Sequence, residues 1–387
     1  MPKGQRPSSD LTPSSPTASR SRPPRVAVVA QGDVTDPRSW SGTPAGICAG
    51  LTAAGAEPVP INARPPGSGS WLARTHRSWT WEATNPLFAT ASGAWADLAI
   101  RSAGDVAGIV VIGSGYLLRS SLPTVSFDDM TVAQGMLQSW SPVSRLSEKD
   151  ATRWRSRQAQ IYQRTRSCCV CSNWAADSVS DDYGVEEGKI KVVGLGRNFE
   201  PSADAGRDWT TPRFLFLGVD WERKGGPAVL EAFGRVRERH PAATLDLVGG
   251  HPDSIEAEGV RGHGCLSLGE ASEREQLSAL LAAATCMVLP STFEAFGIAY
   301  VDAGAYGVPS IGTTVGGAAD AIGDGGVLVD PADPPALERA MLELCDAGTA
   351  QELGARARTN AGRLTWPKVA ERVLSALAIM PFVDLPL

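Results

Sequence analysis

Residues 286–302 read CMVLPSTFEAFGIAYVD, and this stretch decides the fold. Its apolar start, Cys286 to Leu289, has the length of a buried strand and stops at a proline. A carboxylate, Glu294, follows in the loop, and Gly297 then opens a run of residues that is compatible with a helix. The pattern predicts a strand, a loop and a helix N-terminus, with an acid at the junction.

The junction at Glu294 combines two kinds of binding chemistry. Backbone N–H groups at a helix start attract phosphate, and a carboxylate accepts hydrogen bonds from sugar hydroxyls. Anion binding and polyol binding in one turn point to a sugar nucleotide as the ligand. A capped helix start with an incidental glutamate is the alternative interpretation, and this stretch alone leaves both open.

The composition describes an ordinary soluble globular chain that is long enough for two or three domains. It has 387 residues, of which 43% are hydrophobic and 20% are charged. The formal net charge of -6 argues against general nucleic-acid binding, so no nucleic-acid partner is expected. No apolar run approaches the ~18 residues of a membrane span, since the longest candidate, Ala107 to Ile112, has the length of a buried strand.

The cysteines and histidines predict no metal site. The seven cysteines show no metal-type spacing, and Cys168, Cys169 and Cys171 fall within one apolar, strand-like run. We interpret them as small buried hydrophobic residues, which favours a reducing, cytoplasmic compartment. None of the four histidines has a metal-like partner at helical spacing.

Strand and helix patterns alternate through both halves of the chain. Residues 1–25 contain six prolines, six serines and one acid, so we predict a disordered tail there. The alternation over residues 26–198 and again over 199–370 predicts an α/β fold of two Rossmann-like domains, each a doubly wound parallel sheet. Ligands of such sheets bind beyond the carboxyl ends of the strands, so the cleft between the domains is the expected site. Residues 371–387 form a C-terminal segment that can pack back on the first domain.

Three further loops follow predicted strands and are rich in glycine or charge. The first places Arg223 and Lys224 beside flexible glycines, where the two cations can contact a diphosphate. Gly316-Gly317 follows another strand, and glycine lets the backbone approach a ligand closely. In the first half, Gly42 precedes Thr43-Pro44, two residues that suit a helix start. A charged surface turn, a simple strand-to-helix turn and an ordinary capped helix are the respective alternatives.

Together, these four elements resemble the retaining, nucleotide-sugar-dependent glycosyltransferases of the two-domain GT-B fold, in the large group four family. The resemblance covers nearly all of residues 26–370 and is strongest from 214 to 330. The matching motifs are Gly218…Arg223-Lys224-Gly225, Pro290-Ser291, Glu294-Ala295-Phe296-Gly297, Asp302 and Gly316-Gly317.

The resemblance implies a role for each matching residue. Lys224, with Arg223 beside it, would neutralise the diphosphate leaving group, and Glu294 would contact hydroxyls of the donor sugar. Gly42 would approach the phosphates, and Asp302, at the position of a second glutamate, would hold the ribose. The remaining donor-binding positions are Phe296, Gly297, Ile298, Gly316 and Gly317.

The chain departs from the family pattern at three places. Asp302 is one methylene shorter than the glutamate of the family, and no basic residue lies four or five positions before Lys224. Arg223 is available to replace that missing cation. The N-terminal loop lacks the histidine that many relatives place near the acceptor, which leaves Asp128 and Asp129 as the polar groups there. A solvated turn is the alternative interpretation of these two carboxylates.

The resemblance also implies an activity and its partners. The expected reaction is a retaining transfer of a sugar from a nucleotide-diphosphate sugar to a small-molecule or glycan-precursor acceptor, without a metal or a cofactor. The alternatives are a sugar-nucleotide-binding protein that has lost transfer and a sugar-nucleotide epimerase of the same fold. Residues 151–167 carry five arginines and no acid, so this segment can dock on anionic lipid, but a solvated helix is the favoured interpretation.

Overall fold

The computed structural model describes residues 22–67, 79–201 and 206–380. Within these ranges the chain forms two α/β domains, each built on a six-stranded parallel sheet. The predicted fold class, two Rossmann-like domains that face each other across a cleft, is therefore confirmed. Of the tail predicted over residues 1–25, positions 1–21 lie outside the described residues, and the first strand begins at Arg25.

The first domain has the strand order β2-β1-β3-β4-β5-β6. Short 3-10 turns at Ser39–Gly42, Pro142–Arg145 and Glu187–Lys189 interrupt its loops. Its elements are β1 (Arg25–Ala30), α1 (Thr43–Ala53), β2 (Glu57–Asn62), α2 (Trp79–Thr84), α3 (Pro86–Ser102), β3 (Gly108–Ile112), β4 (Thr124–Asp128), α4 (Val132–Leu137), α5 (Glu148–Arg164), β5 (Ser167–Val170), α6 (Asn173–Asp181) and β6 (Ile190–Val192).

The second domain has the strand order β12-β11-β10-β7-β8-β9. Its sheet is again parallel throughout. Its elements, with the helix that follows it, are β7 (Arg213–Gly218), α7 (Gly226–Arg239), β8 (Thr244–Gly249), β9 (Val260–Gly262), α8 (Ala271–Ala283), β10 (Cys286–Val288), α9 (Ile298–Ala305), β11 (Ser310–Thr313), α10 (Ala318–Ile322), β12 (Gly326–Val329), α11 (Pro334–Glu343), α12 (Ala347–Ala361) and α13 (Trp366–Ala376).

The strand order brings particular loops to the edge of each sheet. In the first sheet the chain leaves β1 for β2 on one side and returns to β3 on the other. In the second sheet it leaves β7 for β8 and β9 and returns to β10 on the opposite side. Where the winding reverses, the loops after neighbouring strands diverge and leave a crevice at the carboxyl ends. The loops after β1, β3, β7 and β10 therefore supply the walls of the interdomain cleft.

The central strands are apolar on both faces because helices cover both sides of each sheet. β3 and β5 are buried along their whole length, and so is β1 after its first residue. Cys168, Cys169 and Cys171 are buried and unpaired, which confirms their interpretation as small core residues. Within the described ranges, no helix is both long enough and apolar enough to cross a membrane.

The last helix, α13, leaves the second domain and packs on the first. Its first residue, Trp366, lies against α1, the helix with which α13 makes its most extensive contact. Further along, the Arg372 Nη1 donates a hydrogen bond to the carbonyl oxygen of Val193, at 3.0 Å. Residue 370, at which the sequence places the end of the second domain, lies inside this helix.

The chain crosses between the domains twice, and the two crossings touch. The backbone N–H of Arg197, in the first crossing, donates to the carbonyl oxygen of Leu364, in the second, at 3.0 Å. A further polar contact joins the domains at the start of α6. There the backbone N–H of Asn173 donates to the Asp320 Oδ2 of α10, at 2.8 Å.

We expect Gly46→Ala to destabilise the protein, because a Cβ at Gly46 of α1 would lie 2.1 Å from the ring of Trp366. Forcing a methyl group into a packed contact costs about 1–3 kcal/mol. The matched control is Gly234→Ala in α7, where an added Cβ meets no atom within 4 Å. That change should stabilise the helix by up to about 1 kcal/mol. Chemical unfolding of both variants checks the prediction, and equal effects would contradict it.

Candidate active site

A cavity of about 660 Å³ lies between the two domains at the carboxyl ends of their strands. The first domain contributes residues at or after the ends of β1, β3, β4 and β6, and the second contributes residues at or after the ends of β7, β8, β9 and β10. This volume is in the range of sites that enclose small molecules. The cavity is therefore the candidate ligand site.

Lys224 and Glu294 meet in this cavity as an ion pair between the Nζ of the lysine and the Oε2 of the glutamate. Lys224 follows β7, and Glu294 follows β10, the neighbouring strand. Gly218, the last residue of β7, makes room for the lysine stem, since a Cβ there would lie 2.8 Å from the Lys224 Cγ. The side chains are only 12% and 11% exposed, so each charge is compensated chiefly by the other.

The backbone of Glu294 is held by the glycine loop after β11. Its N–H donates to the carbonyl oxygen of Val315 at 3.2 Å, and its carbonyl accepts from the N–H of Gly317 at 2.9 Å. Gly316 has a φ of 98°, and a Cβ there would lie 2.0 Å from the Glu294 carbonyl oxygen. Gly316 and Gly317, predicted to contact the donor, do not line the cavity. Gly316 holds the glutamate, because only glycine permits this close approach at positive φ. A Cβ at Gly317 would lie 2.3 Å from the carbonyl oxygen of Ala295.

Helix α9 begins at the cavity wall. Phe296, Gly297, Ile298 and Ala299 all line the cavity, so three of the predicted donor-binding residues lie where the sequence placed them. Ile298 and Ala299 are the first two residues of the helix, and the first N–H groups of a helix have no acceptor in a preceding turn. The cavity therefore has backbone donors beside the Lys224 ammonium.

Asp302, on the same helix, lines the cavity but is bonded to the interdomain crossing. Its Oδ1 accepts hydrogen bonds from the backbone N–H groups of Asn198, at 2.6 Å, and Phe199, at 3.2 Å. Burial raises the pKa of the Asp302 carboxyl to about 7, although these two hydrogen bonds act in the opposite direction. The Oδ2 has no hydrogen-bond partner among the described residues. Asp302 thus fastens α9 to the crossing with one oxygen and keeps the other available.

Arg223 lies at the cavity wall and connects the domains. Its guanidinium stacks over the ring of Trp140 at 4.8 Å, and its Nη1 donates to the carbonyl oxygen of Phe293 at 3.1 Å. The ring of Phe293 lies 4.9 Å from Trp140 and 5.2 Å from Trp174, both in the first domain. The Arg223 Nε is also 3.4 Å from an oxygen of Asp220. The Arg223 guanidinium is therefore largely engaged by protein groups, which leaves less of its charge and fewer of its N–H donors for a ligand.

The first domain contributes two carboxylates, Asp128 and Asp129, which both line the cavity. Asp128 is buried and accepts a hydrogen bond from the Tyr162 hydroxyl at 3.3 Å. Burial, with Asp129 as a second cause, raises the pKa of Asp128 to about 7. Asp129 is exposed in the cleft, but desolvation of its carboxyl by the surrounding residues raises its pKa. Asp129 is thus the accessible acid of the pair, whereas Asp128 is buried.

The loop after β1 supplies cavity residues that the sequence did not single out. Trp40 and Ser41 line the cavity and have left-handed backbone geometry, with φ values of 50° and 54°. The Trp40 side chain is 41% exposed, and its Nε1 donates to the carbonyl oxygen of Gln31 at 3.2 Å. Gly42, predicted to approach the phosphates, does not itself line the cavity, whereas its neighbours Ser41 and Thr43 do.

Residues 211–347 match the protein family described as "Glycosyl transferases group 1". The second domain is a glycosyltransferase group 1 domain. It carries Lys224, Glu294 and the start of α9, so the ion pair lies wholly within the matched residues. Asp128 and Asp129 belong to the first domain and lie outside the match.

Curated relatives show the same similarity over about half their length. Glycogen synthase of Mycobacterium tuberculosis is 31% identical over 224 residues, which are 54% of this chain and 53% of that protein. D-inositol 3-phosphate glycosyltransferase of Acidothermus cellulolyticus is 31% identical over 230 residues, which are 53% of this chain and 51% of that protein. The chain therefore spans about half the length of the curated relatives that it matches.

The two-domain architecture is also found in a solved structure of another protein. Sucrose-phosphate synthase from Thermosynechococcus elongatus aligns with a TM-score of 0.65 over 90% of this chain and 97% of that protein. The sequence identity is 19%, so this likeness concerns the fold. The glycosyltransferase group 1 domain and its partner domain thus form a GT-B pair.

We expect the Asp128 carboxyl to make stability depend on pH. Its folded-state pKa of about 7 lies above the usual 3.8, so between these values the folded protein holds a proton that the unfolded chain has lost. The contribution of this carboxyl to the free energy of unfolding should therefore fall as the pH rises from about 4 to about 7, by at most about 1.4 kcal/mol per pH unit.

Asp128→Asn removes this titration, so the difference in unfolding free energy between wild type and variant should change across that pH range. Chemical unfolding at several pH values measures it. Asp105→Asn, at an exposed position, is the control for the removal of one carboxylate. A difference for Asp128→Asn that stays constant over this pH range would contradict the prediction.

Proposed function

We propose that this chain is a retaining glycosyltransferase, which transfers a sugar from a nucleotide-diphosphate sugar to a hydroxyl of a small-molecule or glycan-precursor acceptor. One observation carries the proposal. The Lys224–Glu294 pair of a glycosyltransferase group 1 domain lies at the start of α9, in a cavity between two Rossmann-like domains. A cation, a carboxylate and backbone N–H donors together match a diphosphate joined to a polyol.

The donor occupies the second-domain side of the cavity. Its diphosphate lies against the Lys224 ammonium and the N–H groups that open α9, and its sugar hydroxyls donate to the Glu294 carboxylate. Binding exchanges the ion pair for two new contacts, since the diphosphate takes the place of the carboxylate on Lys224. The free oxygen of Asp302 is available to a ribose hydroxyl on the same helix.

The reaction exchanges one bond at the anomeric carbon and moves one proton. The acceptor oxygen attacks the anomeric carbon, and the bond from that carbon to the diphosphate oxygen breaks, with both electrons leaving on the diphosphate. The acceptor proton passes to the departing diphosphate, so attack and departure take place on the same face of the sugar and configuration is retained. Negative charge grows at the phosphates, where Lys224 and the helix start stabilise it. Because protein groups supply this charge, we propose that the transfer needs no metal.

The acceptor occupies the first-domain side of the cavity. Asp129 offers an exposed carboxylate to acceptor hydroxyls, and Trp40 offers an exposed ring on which a sugar can stack. The relatives are named for glycogen, inositol 3-phosphate and sucrose phosphate, which are all rich in hydroxyl groups. We therefore propose a hydroxyl-rich acceptor.

The cysteines support a reducing compartment for this activity. All seven are free, and four of them are buried. Thiols remain unpaired where glutathione and thioredoxin systems operate, so we propose that the enzyme works in the cytoplasm.

Lys224→Ala should lower turnover by about 100-fold or more, while the dissociation constant of the donor rises by less than about tenfold. The reason is that the negative charge on the diphosphate, which Lys224 stabilises, is largest as the diphosphate leaves. Nucleotide release from a panel of sugar nucleotides, with and without acceptor, measures turnover, and thermal shift with nucleoside diphosphates measures binding. Lys149→Ala, at an exposed position of α5, is the control. An equal loss in affinity and turnover would reduce Lys224 to a binding residue.

Treatment with a chelator should leave turnover unchanged, because the positive charge at the diphosphate comes from Lys224 and the helix start. The measurement compares acceptor-dependent nucleotide release before and after exhaustive chelation. A second comparison adds Mg²⁺ or Mn²⁺ back to the chelated enzyme. A strict requirement for a divalent ion would contradict metal-independent transfer without affecting the proposed donor site.

A further inference from the structure

A second cavity, of about 700 Å³, lies in the first domain between α3 and α5. Four arginines line it, Arg101, Arg119, Arg153 and Arg157, together with a single acid, Asp97. We call this cavity the arginine groove. It shares only a loop with the cleft, since residues after β3 contribute Gly113 to the cleft and Leu117 to the groove.

The single acid of the groove is already used by the backbone. The Asp97 Oδ2 accepts from the N–H of Arg119 at 2.9 Å, and the Oδ1 accepts from the N–H of Ser120 at 3.1 Å. Asp97 thus holds the loop that follows β3. Among the described residues, it forms no ion pair with any guanidinium of the groove. Four arginines against this one acid give the lining a net positive charge, of which the Arg153–Asp150 ion pair compensates a part.

Two of the arginines are held at the groove wall by hydrogen bonds to main-chain oxygens and, in the case of Arg153, also by an ion pair with a carboxylate. The Arg153 Nη1 donates to the carbonyl oxygen of Thr84 at 3.1 Å and to the Asp150 Oδ1 at 2.8 Å. The Arg157 Nη1 donates to the carbonyl oxygens of Ala83 and, at 3.1 Å, of Gly115. These bonds use one nitrogen of each guanidinium, which leaves the other donors of both groups for a ligand.

The fold keeps these like charges close together. Arg153 and Arg157 are one turn apart on α5, a spacing at which equal charges repel. Burial lowers the pKa of Arg157 to about 10, and the charge of Arg153 acts in the same direction. The other two, Arg101 and Arg119, are exposed, and their side chains form no hydrogen bond or ion pair with the described residues. An anion in the groove would relieve the repulsion and use the free donors.

We propose that the arginine groove binds an anion that carries phosphate groups, either a free small molecule or a lipid headgroup. The guanidinium fork matches phosphate oxygens in pairs, and four forks around one concavity fit more than one negative charge. The groove has the volume of a small-molecule site. Leu87 and Leu98 belong to α3, one of the two helices that border the groove, and are 82% and 48% exposed. Exposed leucines on this helix can contact acyl chains, so a lipid headgroup is the second source. The proposal does not depend on the transferase activity.

The test measures binding of inorganic pyrophosphate, and separately of phosphatidylglycerol vesicles, to the full chain at low ionic strength. Phosphatidylcholine vesicles are the neutral control. Arg101→Gln/Arg119→Gln should weaken binding at least about tenfold, because two charge-assisted contacts are lost while no described intramolecular bond is broken. Arg164→Gln, at an exposed position of α5 outside the groove, should leave affinity within about twofold.

Lys224→Ala separates the groove from the cleft, which can also attract pyrophosphate. The proposal requires the Lys224→Ala variant to retain the binding that the double variant loses. Retention by the double variant with loss in Lys224→Ala would place the anion in the cleft and overturn the proposal, and so would the absence of binding to either probe. Binding of pyrophosphate alone identifies a soluble anion, and binding of anionic vesicles alone identifies a headgroup.

Discussion

The ion pair between Lys224 and Glu294 is the interaction on which the cleft depends. A charge that is almost buried is unfavourable unless a partner compensates it, and removing one partner of such a pair typically costs about 3–5 kcal/mol. The pair therefore fixes the loop after β7 against the loop after β10. It also prepares the site for exchange, because a phosphate can replace the carboxylate on the lysine while hydroxyl groups replace the ammonium on the glutamate.

Much of this site could be predicted because its signals are local. The apolar run before Glu294, the proline that ends it and the glycine that opens α9 each act within a few residues, and all three predict the same unit. The meeting of Lys224 with Glu294 follows once both are placed after neighbouring parallel strands. The bonds of Asp302 to Asn198 and Phe199 could not be predicted in this way, since no local rule selects partners more than a hundred residues away.

Two other features depend on tertiary contacts that no sequence pattern identifies. The glycines of the predicted donor-binding loop, Gly316 and Gly317, lie against the carbonyl oxygens of Glu294 and Ala295, respectively. Trp40 and Ser41 adopt a backbone geometry that costs about 1–2 kcal/mol for a residue with a side chain, so only the surrounding structure can impose it. In both cases the decisive contact is tertiary, and the residue type alone gives no sign of it.

The two crossings between the domains touch where the N–H of Arg197 bonds to the carbonyl oxygen of Leu364. Two adjacent connections resist sliding of one domain along the other more than they resist rotation about the line that joins them. A rotation that widens the cleft also separates Asn173 from Asp320 and Arg223 from Trp140. The width of the cleft is therefore set by these contacts together with the two crossings.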